Sequence, residues 1–317
     1  MPGVVQGFNF NQITMSNRVG LHAALVDINT RTGDGSAVGK NEDSTRGPGK
    51  DITYYWYAGG LDLDKFAQGQ LTGQGIEFGV VPLQDMGDVI KHSSHGAIGA
   101  LVIEPKGATW ETDPSTSASA TVRYKDATGT KQYFREFVLL YQDDVSLRLK
   151  GEPVVNRDGV DDVYDLGQKA FNYRTEPLWA RLGLSPGVDL ETFNEVDHSQ
   201  VLSSKVPHAG CQLEPCDPAT PLFIAKAGDP VRFRIVNPAG HSRQHGFTLH
   251  GHDWVMNPWE CDTNQPGHTS CDSSVQGDNQ YSINRVGSSG GLGPTRHLNI
   301  LTTAGGPFHI PGDYLYR

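Results

Sequence analysis

The chain has 317 residues, 37% of them hydrophobic and 20% charged, which gives enough apolar material for two domains or one large one. The formal net charge of −10 argues against nucleic acid or an anionic membrane as a partner. No apolar run reaches the ~18–20 residues of a membrane span. The opening MPGVVQGFNF has neither the basic nor the apolar region of a signal peptide.

Short β-rich segments, separated by clusters of Gly, Pro, Asn and Asp, dominate the chain and predict an all-β sandwich or barrel. The predicted strands cover residues 52–58, 76–83, 98–105, 120–126, 134–142, 231–237, 245–255 and 297–303. Only short helices are expected, at 62–68 and at 176–182.

A polar, small-residue stretch predicts a domain boundary. We expect a first β domain over 1–107, a linker over 108–118 and a second β domain over 119–317. The loop-rich residues at about 151–220 are interpreted as an insertion within the second domain. Weak similarity between the two halves predicts a duplication.

The four cysteines, Cys211, Cys216, Cys261 and Cys271, all lie in one polar stretch rich in Gly and Pro. Four thiols allow three pairings, which the sequence does not separate. One or two loop disulfides, and hence an oxidising compartment, are favoured over free thiols.

Histidines are densest in the segment HSRQHGFTLHGH, which begins at His241. On a strand, His250 and His252 share one face, while His245 points to the other. Since imidazole is a common ligand of copper and zinc, the two faces could serve two metal sites. The alternative is a polar strand whose histidines are satisfied by hydrogen bonds.

Several motifs together resemble the multicopper oxidase family, whose domains have the cupredoxin fold. The motifs are GDPVRFRIVNPAGHSRQHGFTLHGHDW, IKHSSHGAIGALVIEP, GPFHIPGDYLYR and NRVGLHAALV. The resemblance implies tandem cupredoxin-like Greek-key β-sandwiches with long loops and a few short helices. Within the family, the motifs most resemble those of the large, multi-domain, manganese-oxidising members.

The resemblance implies copper ligands in the second half. His245 matches the histidine of the mononuclear type 1 copper, and His250 matches a type 3 ligand of the trinuclear cluster. Thr248 stands where the type 2 histidine is expected, which resembles domains with little or no trinuclear cluster. His252 is a further candidate, as a ligand or as a residue that orients His250.

In the first half the same comparison gives a degenerate site. His22 matches the type 3 position, but Asn17 stands at the type 1 histidine. His92 matches the second type 1 histidine, while Gly87 stands at the cysteine, so no type 1 copper is expected there. His22 and His92 remain candidate ligands, and for His92 and His95 a structural or solvated role is the alternative.

Two other patterns are interpreted as having no chemistry. An acidic set without EF-hand spacing favours a solvated loop over a Ca²⁺ or Mn²⁺ site; it comprises Asp143, Asp144, Glu152, Asp161, Asp162 and Asp165. The glycines at 287–293 lack the lysine and helix of a phosphate loop and predict a flexible turn.

The resemblance implies an extracytoplasmic oxidase that takes single electrons from a reducing substrate, such as Mn(II) or a phenol, and reduces dioxygen through copper. Because GDYLYR stops where the family's cysteine would follow, we expect an internal portion of a longer polypeptide, completed by further cupredoxin domains or by subunits. Two alternatives stay open: a non-catalytic cupredoxin scaffold, and a copper-binding electron relay.

Overall fold

The computed structural model describes most of the chain outside its first residues and several loops. The described ranges are 14–61, 63–70, 73–89, 91–114, 117–143, 148–149, 152–153, 170–173, 182–185, 188–202, 222–240, 244–256 and 285–317. They fall in two compact units, one from residues 1–140 and 223–317, the other from residues 141–222. The prediction of an all-β fold with few short helices is confirmed.

Strands in chain order alternate with few helical turns. They are β1 (Leu21–Ala23), β2 (Asp27–Ile28), β3 (Trp56–Tyr57), β4 (Gly59–Leu61), β5 (Gly73–Gly75), β6 (Gly79–Asp85), β7 (Ile98–Ile103), β8 (Thr109–Thr112), β9 (Ser119–Lys125), β10 (Lys131–Gln142), β11 (Arg148–Leu149), β12 (Glu152–Pro153), β13 (Ala170–Phe171), β14 (Pro230–Asn237), β15 (His245–Thr248), β16 (Trp254–Val255), β17 (Arg285–Val286), β18 (Ser288–Leu292) and β19 (Arg296–Thr303). The α-helices are α1 (Leu63–Ala67) and α2 (Leu190–Asn194), and 3₁₀ turns cover Ser93–His95, His198–Gln200 and Gly306–Phe308.

The main sheet of the first unit has the strand order β19-β14-β10-β9-β8. β14 runs parallel to β10, whereas the other neighbours are antiparallel. The segment VRFRIVN of β14 is buried along its whole length, so both faces of this sheet are covered. A sixth strand, β13, pairs with the end of β10 beside this path, and we call the five strands of the path the five-stranded sheet.

A three-stranded antiparallel sheet, in the order β1-β6-β7, packs on one face of the five-stranded sheet. Val80 and Ile98 from the smaller sheet meet Leu140 and Val236 from the larger one. These apolar side chains form the core between the two sheets, as in a β-sandwich.

The opposite face of the five-stranded sheet is covered by aromatic side chains. We call Phe137, Phe223, Phe233, Phe247 and Trp254 the aromatic cluster. Neighbouring rings lie 4.9–6.1 Å apart between centroids, in stacked, tilted and edge-to-face pairs. Phe247 and Trp254 are fully buried there, which anchors β15 and β16 to the sheet.

In the second unit, β11 pairs with β12, and the end of β10 pairs with β13. The rings of Tyr141 and Phe171 meet edge to face at 4.6 Å. α2 begins after Asp189, whose carboxylate accepts a hydrogen bond from the amide of Thr192.

The strand predictions hold in position, with corrections in extent. The predicted strand at 245–255 is two short strands, β15 and β16, separated by a turn that contains Gly251 with φ 70°. The prediction of a flexible turn at 287–293 is wrong, because this stretch contains β18, which pairs with β15. Strand β8 lies within the range predicted as a linker, and the predicted helix at 176–182 lies almost wholly outside the described residues.

Within the described ranges, no helix is long and apolar enough to cross a membrane.

Candidate metal centre

His245 and His250, the first two ligand candidates, lie on and just after β15. His245 is half-buried and opposes Leu292 of β18. The next residues are held by the 315–317 segment, since Thr248 exchanges two backbone hydrogen bonds with Arg317 and the His250 amide donates to the carbonyl of Leu315. The His250 ring is exposed and receives no hydrogen bond from the part of the chain that is described.

His252 is held by the backbone at both of its ring nitrogens. The Gly306 amide donates to Nε2 at 3.1 Å, so Nε2 must carry a lone pair. Nδ1 therefore carries the hydrogen and donates it to the carbonyl of His250, 2.9 Å away. Because both nitrogens are engaged, His252 lacks a donor atom for a metal in this arrangement.

The corner around His252 is too tight for side chains at two glycines. A Cβ on Gly251 would lie 2.9 Å from the ring of Tyr314, and a Cβ on Gly306 would collide with the carbonyl of Gly251. The Tyr314 ring meets His252 edge-on at 4.6 Å, and its hydroxyl donates to the carbonyl of Ile310 at 2.6 Å. His252 and Tyr314 therefore fix the loop that leads into the 314–317 segment.

His92 is buried and also uses both ring nitrogens. Nε2 lies 2.8 Å from the carbonyl of Ser16, which can only accept, so Nε2 carries a hydrogen. Nδ1 lies 2.9 Å from the carboxylate of Asp85, which also favours a hydrogen there. The arrangement suits a doubly protonated, charged imidazole.

Electrostatics agree with that protonation state. Burial lowers the pKa of His92, but its hydrogen bonds to Asp85 and Ser16, with the charges of Asp85 and Asp88, outweigh burial and raise the pKa above 6.5. An imidazolium has no lone pair for a metal. His92 acts here as a link between the residues around Ser16 and the loop after β6.

The remaining first-half positions do not assemble around His92. His22 lies on β1 opposite Gln84, and its Nδ1 lies 3.0 Å from the carbonyl of Asp34. At Gly87, the position matched to the family's cysteine, a Cβ would collide with the carbonyl of Arg18. The close backbone approach explains the glycine and leaves no room for a thiolate ligand in this arrangement.

His92 and His252, as they are placed, therefore offer no free ring nitrogen to copper. No group of three or more His, Cys, Asp or Glu side chains suited to a metal ion occurs among the residues that the structure describes. A copper site requires such a set. The four cysteines, His241 and most of the acidic set lie outside those residues.

A buried group of charges was missed by the sequence analysis. It comprises Glu77, Glu104, Glu136, Arg232 and Arg234, and we call it the ion cluster. Arg234 is 1% exposed, and its Nε donates to Glu136 at 2.9 Å. Its Nη2 lies 3.4 Å from Glu77 and from Glu104.

The second guanidinium of the ion cluster is held between a carboxylate and a ring. Arg232 pairs with Glu77 and lies 3.9 Å from the centroid of Phe134. Asn299 on β19 accepts from Arg234 and from the amide of Val80, which connects the two sheets. The signal in the sequence was the pair of arginines alternating with apolar residues in VRFRIVN.

Comparison with known proteins gives matches only among solved structures. No family model and no curated protein matches the chain. Similar structures are multicopper oxidases. One is the blue copper oxidase from Nitrosomonas europaea, with 14% identity over 95% of this chain and 63% of that one, and a TM-score of 0.44. Another is the multicopper oxidase mgLAC, with 11% identity over 96% of this chain and 63% of that one, and a TM-score of 0.39.

The chain thus spans about 63% of the length of these structures. The resemblance to manganese-oxidising members stays a prediction.

Proposed function

We propose that this chain is a scaffold part of a multicopper oxidase-like protein, in which the described residues support a cupredoxin-type sandwich and do not form a complete copper centre. The observation that carries this proposal is the state of His92 and His252. Two candidate ligands have both ring nitrogens engaged by protein groups: His92, which the motifs match to a type 1 histidine, and His252.

The physical reason is competition for the same lone pairs. Copper would have to displace the Gly306 amide from His252, or remove a proton and the Asp85 contact from His92. Each change leaves a buried polar group without its partner, at a cost of about 1–3 kcal/mol. The histidines are therefore better suited to holding loops than to exchanging a metal.

A copper-dependent oxidase or electron relay is the second candidate, favoured by His250. Its ring is exposed, and no described group donates to it, so a metal could reach its nitrogens. In that function, the whole protein would oxidise Mn(II) or a phenol by single electrons and reduce dioxygen. An extracytoplasmic location belongs to the same proposal and rests on the loop cysteines.

Copper binding by the purified chain separates the two candidates. The protein is incubated with Cu(II), desalted, and measured for copper content, visible absorption and oxidation of Mn(II) or a phenol. The scaffold function predicts less than one copper per chain, no intense blue band and no oxidation.

Variants make the outcome specific to the candidate ligands. Under the scaffold function, His245→Ala and the control His198→Ala, which replaces an exposed histidine of the second unit, retain equal copper. An intense blue band that disappears in His245→Ala but persists in His198→Ala would overturn the scaffold proposal and support the oxidase.

A further inference from the structure

A cavity of about 240 Å³ lies between the end of β7 and the face formed by β8, β9 and β10. Trp110 lines it and is 65% exposed, so its ring forms part of the entrance. Its walls also include Val102, Ala118 and Val138, together with the side chains of Glu104 and Glu136. The cavity therefore combines apolar walls, an aromatic ring and two carboxyl groups.

The two carboxyl groups are buried side chains of the ion cluster. Glu104 and Glu136 are 10% and 9% exposed, and they are hydrogen-bonded to each other. Glu136 also accepts from Nε of Arg234. One proton shared between the carboxyl groups allows this contact, because two carboxylates would repel each other.

Charge balance in the ion cluster favours one proton among its carboxyl groups. The ion cluster has three carboxyl groups and two guanidinium groups, so protonating one carboxyl group makes its sum zero. Burial and the hydrogen bond to Glu136 raise the pKa of Glu104 to about 9, against the opposing charge of Arg234. The charged groups that act on Glu104 are Glu136 from β10, Arg234 from β14 and Glu77, which precedes β6.

The same balance defines the ligand that the cavity can take. A ligand with a single positive charge can replace the proton of Glu104 and keep the sum at zero, whereas a divalent ion would leave an excess charge. Apolar walls and an aromatic entrance favour an organic body over a hydrated metal ion. An ammonium group also supplies three hydrogen-bond donors for the carboxylate oxygens.

We propose that this cavity binds a small protonated primary amine, whose ammonium group takes the place of the carboxyl proton of Glu104 while its apolar body packs against Trp110 and Val138. The displaced proton passes to water, and no covalent bond changes. Binding is therefore an exchange of one proton for one organic cation.

Calorimetry with benzylamine tests the exchange on the purified chain. Benzyl alcohol, which has the same ring without the charge, is the matched control ligand. We expect benzylamine to bind at least tenfold more tightly than benzyl alcohol. Titrations in buffers of different ionisation enthalpy should show release of about one proton, and the affinity should rise about tenfold per pH unit between about pH 6 and 8.

Substitution of the proposed counter-charge sharpens the test. Glu104→Gln resembles the protonated acid in shape and charge, so we expect the chain to fold while benzylamine binding weakens at least tenfold. Glu111→Gln is the matched control, since Glu111 is an exposed glutamate of the neighbouring β8, paired only loosely with Arg123 at 3.5 Å. It should leave binding unchanged.

A second variant guards against a folding defect in the first. Ala118→Leu fills part of the cavity and keeps every charged group of the ion cluster, and it should also weaken benzylamine binding at least tenfold. Equal binding of the alcohol and the amine, no proton release, or full binding by a folded Glu104→Gln or Ala118→Leu protein would each overturn the proposal.

Discussion

The two faces of the five-stranded sheet are both buried, but they are buried by opposite chemistry. On β14, Phe233 and Ile235 point to the aromatic cluster, while Arg232 and Arg234 point to the three-stranded sheet. Successive side chains of a strand point to opposite faces, so one short segment supplies both. A slip of one residue would turn Arg234 away from its carboxylate partners, so this pairing helps to fix the register.

The two faces differ in how stability responds when part of a side chain is removed. The aromatic cluster depends on volume and contact, so removing part of a ring costs in proportion to the cavity that remains. The ion cluster depends on complete pairing, because a buried charge without its partner costs several kcal/mol. The loss of stability on the aromatic face is thus graded with the volume removed, whereas the loss on the face of the ion cluster is close to all-or-none.

The largest effect is expected when the ion cluster loses its central cation. Arg234→Met keeps much of the side-chain volume but leaves Glu77, Glu104 and Glu136 with Arg232 alone. We expect the free energy of unfolding to fall by about 3–5 kcal/mol in chemical denaturation. The exposed Arg123→Met, next to Glu111, should cost less than about 0.5 kcal/mol.

A second substitution distinguishes lost charge pairing from lost packing. Adding Glu136→Gln to Arg234→Met removes one stranded carboxylate, so the double variant should be at least about 1 kcal/mol more stable than the sum of the two single effects predicts. Simple additivity would contradict the ion-cluster explanation.

A smaller effect is expected on the aromatic face. Phe247→Leu removes part of a fully buried ring and should lower the free energy of unfolding by about 1–2 kcal/mol. Phe308→Leu is the control, since Phe308 is 84% exposed and should change stability little. Phe247, unlike the members of the ion cluster, has no titratable group. A loss of stability that varied with pH would therefore contradict this comparison of the two faces.

The sequence predicted the strands of this sheet well and their faces poorly. Runs such as VRFRIVN and FREFVLLYQ carry the β-branched and aromatic residues of strands, and β14 and β10 lie within a few residues of the predicted bounds. Alternating arginines, however, resemble a solvent-exposed face. Their partners Glu77 and Glu136 lie 155 and 98 residues away, so only the tertiary structure reveals the pairing.

The candidate site shows the same limit. Histidine spacing drew attention to His245, His250 and His252, but it carries no information about which ring nitrogens are engaged. The group that fixes His252 is the amide of Gly306, 54 residues further on, and the carbonyl that fixes His92 belongs to Ser16, 76 residues earlier. Whether any of these histidines binds copper stays a prediction.

The smallest effect on stability is expected at His92, a single charge outside the five-stranded sheet that should also depend on complete pairing. The pKa of His92 is raised on folding, so its contribution to stability is full below its unfolded value of about 6.5 and is lost as pH rises through the folded value. We therefore expect His92→Gln to cost about 1 kcal/mol at pH 5 and less at pH 9, measured as the difference from the parent chain in urea unfolding. His198→Gln, at an exposed histidine, is the control for the same substitution and should change stability little. If the cost of His92→Gln grew with pH, the buried imidazole would be neutral in the folded chain, and the charged pairing with Asp85 would be wrong.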